Sequence, residues 1–128
     1  MQESLILIVD DLPNWQMVLK RLLSELNYHC DTASSSQEAI DMLSKKDYKL
    51  AILDIRLEEG DIYNEGGIDI VNWLVNTHSQ TKAIMLSGHP TEEFARKTLL
   101  SGIVVDFCHK SSDIDRLIES VGKVMQSF

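Results

Sequence analysis

Five short runs, each followed by a segment of helical periodicity, leave this chain little choice of fold. The runs are Leu5 to Val9, Tyr28 to Ala33, Leu50 to Ile55, Ala83 to Ser87 and Ile103 to Phe107. Except for the more polar second run, they are almost continuously apolar, which suits strands buried on both faces. After the first run, Leu12, Trp15, Leu19, Leu22, Leu23 and Leu26 form a helical stripe, with Pro13 in the opening turn where its missing N–H is harmless. Ser35-Ser36-Gln37-Glu38 reads as a capping box ahead of Ala39, Ile40 and Leu43. The third helix carries Ile68, Val71, Leu74 and Val75, and the fourth opens at Thr91-Glu92-Glu93. The last carries Ile114, Leu117, Ile118, Val121, Val124 and Met125. Strands alternating with helices predict an α/β fold with a parallel five-stranded sheet between two helical layers. Right-handed crossovers at this length favour the flavodoxin-like strand order 2-1-3-4-5, a (βα)5 three-layer sandwich.

The chain has 128 residues, the size of one domain, so residues 1–128 are read as a single unit with no second domain. Its 12 basic and 20 acidic residues give a formal charge of −8, which argues against direct nucleic acid binding. No apolar stretch is long enough to span a bilayer, and the N-terminus has no basic n-region, so a cytoplasmic location is expected. Cys30 and Cys108 sit in strand-like contexts and read as buried reduced thiols.

In an open parallel sheet, ligands bind beyond the carboxyl ends of the strands, where the strand order reverses. For order 2-1-3-4-5 that place lies between strands one and three. Asp10 and Asp11 end strand one, Asp54 closes the apolar core of strand three, Ser87 ends strand four and Lys110 follows strand five. Each has an ordinary alternative: Asp11 as a helix cap, Asp54 and Ser87 as turn residues, Lys110 as a solvated lysine. Together they place three carboxylates, a hydroxyl and an ammonium around one crevice. Clustered carboxylates raise one another's pKa unless a cation compensates. An all-oxygen set suits a hard cation, and Mg²⁺ takes one or two carboxylates while completing its shell with water and phosphate oxygens. Lys110 adds a point charge suited to a phosphoryl oxygen.

These residues resemble the receiver domain of two-component response regulators. The matching stretches are Ile8-Val9-Asp10-Asp11, Ala51-Ile52-Leu53-Asp54, Leu86-Ser87-Gly88 and Phe107-Cys108-His109-Lys110. The resemblance implies that Asp54 is the phosphoacceptor of a signalling switch, not a classical enzyme. It implies Mg²⁺ on Asp11, on Asp10 mainly through water, on Asp54 and on the carbonyl of Arg56. It gives Ser87 the hydroxyl role, Phe107 that of the switch aromatic, and Lys110 contact with the phosphoryl group. The implied donor is a sensor histidine kinase or phosphotransfer protein. The implied partner surface, including a possible homodimer, is the face of the fourth helix, fifth strand and fifth helix. Three departures stand out: Ser111 where the family commonly has proline after the lysine, Glu58 where it commonly has proline, and a long polar loop from Glu58 to Gly67. A trans bond is expected from Lys110 to Ser111, because cis before a non-proline residue costs about 2.5–4 kcal/mol.

Other readings compete. A flavodoxin-like cofactor-binding protein would need a phosphate cradle after strand one, where Asp10-Asp11-Leu12-Pro13 repels phosphate. An aspartyl-phosphate hydrolase would need a second aspartate at the place of Arg56. A receiver-like docking module would not need the full set of acceptor, acids, hydroxyl and lysine. His29, His78 and His109 read as surface residues, and the acidic loop Glu58, Glu59, Asp61 and Glu65 as solvated. Trp73 lies off its helix's apolar stripe, half exposed or contacting a partner.

The resemblance implies that Arg56 and His89, two residues beyond Asp54 and Ser87, flank the line along which water would attack an aspartyl phosphate. An arginine laid over phosphoryl oxygens and a bulky imidazole crowd that line. A loose transition state gains little from a donor already engaged in the ground state. The expected outcome is a comparatively long-lived phosphoprotein. Dephosphorylation followed under identical Mg²⁺ should be faster for Arg56→Ala and His89→Ala; unchanged or slower decay in both removes the shielding role.

Overall fold

A computed structural model describes residues 5–54, 66–87, 102–110 and 113–126. Within them the chain runs β1 (Leu5–Val9), α1 (Pro13–Glu25), β2 (His29–Ala33), α2 (Ser36–Lys45), β3 (Leu50–Asp54), α3 (Gly66–Asn76), β4 (Lys82–Ser87), β5 (Val104–His109) and α4 (Ile114–Gln126). The helical pattern from Thr91 and the polar loop from Glu58 lie outside the described residues, up to Gly66 where α3 begins. The five strands form one parallel sheet in the order β2-β1-β3-β4-β5, as expected.

The side-chain period of two divides the strands between two cores. Ile6, Ile8, Leu50, Ile52, Ile84 and Leu86 face one side and pack with Leu19 and Leu23 of α1 and Leu117 and Val121 of α4. Leu7, Val9, Ala51, Leu53, Ala83 and Met85 face the other and pack with Ala39 of α2 and Ile70, Val71 and Leu74 of α3. Strand β5 keeps this division only through a register shift. Ala83 pairs with Val104 but Ile84 pairs with Asp106, so Val105 is an extra residue and is exposed. The shift sets Phe107 opposite Met85 and Cys108 opposite Leu86, each on its partner's side of the sheet.

Helix ends account for several differences from the sequence pattern. Helix α1 closes with Asn27 at φ 69°, the Asn27 N–H bonding the Ser24 carbonyl and the Tyr28 N–H bonding Leu23, a Schellman pair. Leu26 therefore falls at the cap and is exposed, outside the stripe it extends in sequence. Helix α3 closes the same way at His78, φ 54°, with bonds to Val75 and Leu74. Here Ile70 is buried in place of Val75, which is exposed. Trp73 is half-buried against the α2/α3 core, so its ring has an intramolecular home. The capping box forms with a shift: Ser35 Oγ accepts the Glu38 N–H, but Glu38 reaches the N–H of Ser34.

Leu53 is fully buried in the central strand. Leu53→Ala should cost about 2–5 kcal/mol, while Met17→Ala, on the exposed side of α1, should stay within about 0.5 kcal/mol. Chemical denaturation checks both; similar losses would contradict the placement of the core.

Candidate functional site

Strand alternation carries through to the strand ends. Asp10 continues the parity of Ile6 and Ile8, and Asp54 that of Leu50 and Ile52, so both acids emerge toward the α1 side. Strands β1 and β3 are neighbours, which brings the two acids together. Lys110 follows β5 and reaches them from across β4. Asp10, Asp54 and Lys110 retain only 1%, 3% and 5% of their exposure, whereas Asp11 is half-buried.

The Lys110 ammonium lies 2.8 Å from Asp10 Oδ2 and 3.1 Å from Asp54 Oδ2. Carboxylate oxygens of Asp10, Asp11 and Asp54 all fall within 4.8 Å of one another. Burial pushes the Asp10 carboxyl above its ordinary pKa, against the lowering effect of Lys110 and the Leu12 N–H. For Lys110 burial acts downward, but its bonds to Asp10 and Asp54 prevail and hold the ammonium above the usual lysine range. Three converging carboxylates, with no His or Cys in the group among the described residues, fit a hard divalent cation. Asp10, Asp11 and Asp54 are the residues that would hold it.

The cap role considered for Asp11 is taken by Leu12, whose side chain makes no capping bond; Asp10 Oδ1 instead accepts the Leu12 N–H at 2.9 Å. That bond folds the β1–α1 turn back on the acid. Gln16 adds a brace that the apolar pattern does not reveal. Its amide donates to the Asp10 carbonyl, to the Ala33 carbonyl at 3.2 Å and to Ser34 Oγ at 3.0 Å, tying the ends of β1 and β2 to α1. Trp15 is the other residue unassigned from sequence: it reads there as one of a hydrophobic stripe, yet its ring lies 5.6 Å below the Lys110 ammonium. Only the tertiary meeting of α1 with the end of β5 reveals that contact.

Phe107 is half-buried against the α2/α3 core. Its N–H donates to Asp106 Oδ1 at 2.8 Å, and Arg116 of α4 binds the same carboxylate at 2.7 and 3.2 Å. Burial raises the Asp106 pKa, but the bonds from Arg116, Ser120 and the Phe107 N–H outweigh it and hold the group below its ordinary value. Cys30 and Cys108 are buried free thiols, pushed up by burial to about 11 and about 12, so neither is a ready thiolate. Ser87 ends β4, its backbone paired in register with His109, but its side chain lies outside the described set. Arg56, His89 and Ser111 lie outside the described residues, and with them the carbonyl ligand, the attack-path pair and the Lys110–Ser111 bond. No helix among the described residues is long and apolar enough to cross a membrane.

Residues 6–122 match the family described as the response regulator receiver domain. The response regulator protein PilR of Pseudomonas aeruginosa is 29% identical over 120 residues, covering 94% of this chain and 26% of that protein. The DNA-binding transcriptional regulator NtrC of Klebsiella pneumoniae is 26% identical over the full chain, again covering 26% of its own length. The chain thus spans about a quarter of the curated relatives it matches. Among solved structures, TrrA of Thermotoga maritima in complex with Mg²⁺ and BeF superposes with a TM-score of 0.76 at 30% identity, covering 94% of this chain and 98% of that one. The receiver domain of NtrX from Brucella abortus gives 0.81 at 26% identity, with 96% and 99% covered.

Removing the ammonium breaks its buried ion pairs to Asp10 and Asp54, a loss of about 3–5 kcal/mol for Lys110→Met. A cation bound to the folded state stabilises it by mass action, so Mg²⁺ should return part of that loss and bind the variant more tightly than the wild type. Denaturation with and without Mg²⁺ checks this; a deficit unaffected by Mg²⁺ would contradict the shared charge balance.

Proposed function

The chain belongs to the response regulator receiver domain family, and from that premise we propose that it is a signalling switch that accepts a phosphoryl group on Asp54. The observation that carries this reading is the convergence of Asp10, Asp11 and Asp54 within 4.8 Å, with Lys110 on Asp54 Oδ2 at 3.1 Å. Asp54 closes the central strand β3, so its carboxylate is fixed by the most buried part of the sheet.

In the proposed step an Asp54 oxygen attacks phosphorus, forming a P–O bond as the donor's P–N bond breaks. The leaving imidazole of the donor phosphohistidine keeps the electron pair and takes up a proton. Asp54 starts as a carboxylate and ends as an acyl phosphate. Bound Mg²⁺ would offset the repulsion between carboxylate and phosphoryl oxygens. Lys110 orients the acceptor oxygen and stays to meet phosphoryl charge. Asp10 and Asp11 would hold the cation, and the family resemblance gives the Arg56 carbonyl the part of a further ligand. The domain catalyses only its own phosphorylation and dephosphorylation. Its donor would be a sensor histidine kinase or phosphotransfer protein. Residues 1–128 form the receiver unit, cytoplasmic in location and without nucleic acid contacts of its own.

Phosphorylation adds about −1.5 to −2 charge and strong acceptor oxygens. Ser87 would donate to one of them, shifting a pre-existing equilibrium in which Phe107 packs further inward. Phe107 has no hydroxyl, so its inward state needs no buried partner. The readout would then appear on the face of β5 and α4, where a second copy or a target could bind.

Asp54→Asn should abolish labelling by acetyl phosphate, and chelating Mg²⁺ should do the same to the wild type. Continued Mg²⁺-independent labelling of the variant would refute Asp54 as acceptor. Amide shifts on activation should extend from the acids to Phe107 and β5; shifts confined to the acids would refute the switch.

A further inference from the structure

Lys110 is a flexible side chain asked to stay in one place while its partners change. Its four-carbon stem carries about 2 kcal/mol of rotamer entropy. Among the described residues two ion pairs hold the ammonium, to Asp10 at 2.8 Å and to Asp54 at 3.1 Å. Both depend on carboxylates that the proposed chemistry alters. Asp10 belongs to the set that would hold a divalent cation, so loading the site weakens the shorter pair. Asp54 ceases to be a free carboxylate once it carries a phosphoryl group. Ser111, following the lysine, has no ring to restrict φ at that position.

A third contact, also among the described residues, is unaffected by either event. The ammonium lies 5.6 Å from the centroid of the Trp15 ring, within the range of a cation–π attraction. Indole gives the strongest such face, and its quadrupole does not change when the acids are loaded. The ring is itself packed against the core. Trp15 sits in the first turn of α1, two residues after Pro13, and packs against the core cluster that includes Leu19 and Leu23. The next residue, Gln16, is bonded to the carbonyls of Asp10 and Ala33, which anchors this turn to the sheet.

We propose that Trp15 is a positioning residue for phosphotransfer, its indole face keeping the Lys110 ammonium beside Asp54 when Asp10 is engaged by the cation. The inference rests on the reading of Asp54 as phosphoacceptor and assigns Trp15 a part in it. A cation–π contact between a buried ammonium and a partly buried ring corresponds to roughly a fivefold to thirtyfold preference for the held position.

The test uses the full chain carrying Trp15→Phe or Trp15→Leu. Phenylalanine keeps a ring with a weaker face; leucine keeps apolar packing and has no ring. With acetyl phosphate and saturating Mg²⁺, the rate of labelling should fall from wild type to Phe to Leu, the last by about fivefold or more. A purely structural role would follow the unfolding midpoints of the variants instead. Any other order, equal rates included, overturns the proposal. A second measurement needs no substitution. The Lys110 Hε protons should show an upfield ring-current shift in NMR spectra that persists when Mg²⁺ is added without donor. Its disappearance on adding Mg²⁺ overturns the proposal whatever the rates. Wild-type protein that takes no label refutes the reading of Asp54, and the ring-current result then decides the Lys110–Trp15 contact alone.

Discussion

Two carboxylates of neighbouring strands share one ammonium, with a third close by. Like charges this near, and this far from water, are unfavourable unless a cation stands among them. Lys110 supplies that cation at 2.8 and 3.1 Å, and does so from the far end of β5. The pairing therefore joins three strands at their carboxyl ends, and it makes the site's charge balance part of the fold's stability. Among the described residues Lys110 is the cation paired with these acids, and carboxylate oxygens of all three lie within 4.8 Å of one another. A cluster of this kind suits a hard divalent cation.

The sheet makes this arrangement with few special devices. A period of two puts Asp10 and Asp54 on the side where α1 packs, and strand order makes β1 and β3 adjacent. One irregularity is needed, the extra residue Val105, which restores the parity of β5 with β4. Without that shift Phe107 and Cys108 would exchange faces. The Asp106–Arg116 pair sits beside this bulge and bonds the Phe107 backbone, so strand β5 is tied to α4 where a switch would move.

Much of this was legible in the sequence, for a definite reason. Strand-length apolar runs that alternate with helical patterns read as buried parallel strands, and acids ending two such runs emerge at the same edge of the sheet. Asp10, Asp11, Asp54 and Lys110 were found that way. The bulge was not, because Val105 is as apolar as its neighbours and its exposure depends on pairing with β4. Leu26 and Val75 satisfy helical spacing but fall at or near helix ends, so local backbone geometry overrides their pattern. Gln16 and Trp15 were hidden differently. The partners of Gln16 lie on other elements, and Trp15 has an apolar identity that conceals a polar contact.

The receiver reading stands or falls on which carboxylate becomes covalently modified, since oxygens of all three lie within 4.8 Å of one another. Borohydride converts an aspartyl phosphate to homoserine, which leaves a stable mark at the acceptor. Protein treated with acetyl phosphate and Mg²⁺, reduced and sequenced by tandem mass spectrometry should carry homoserine at position 54 and nowhere else. Homoserine at position 10 or 11, or none under conditions that keep the protein folded and Mg²⁺-bound, would contradict the assignment of Asp54.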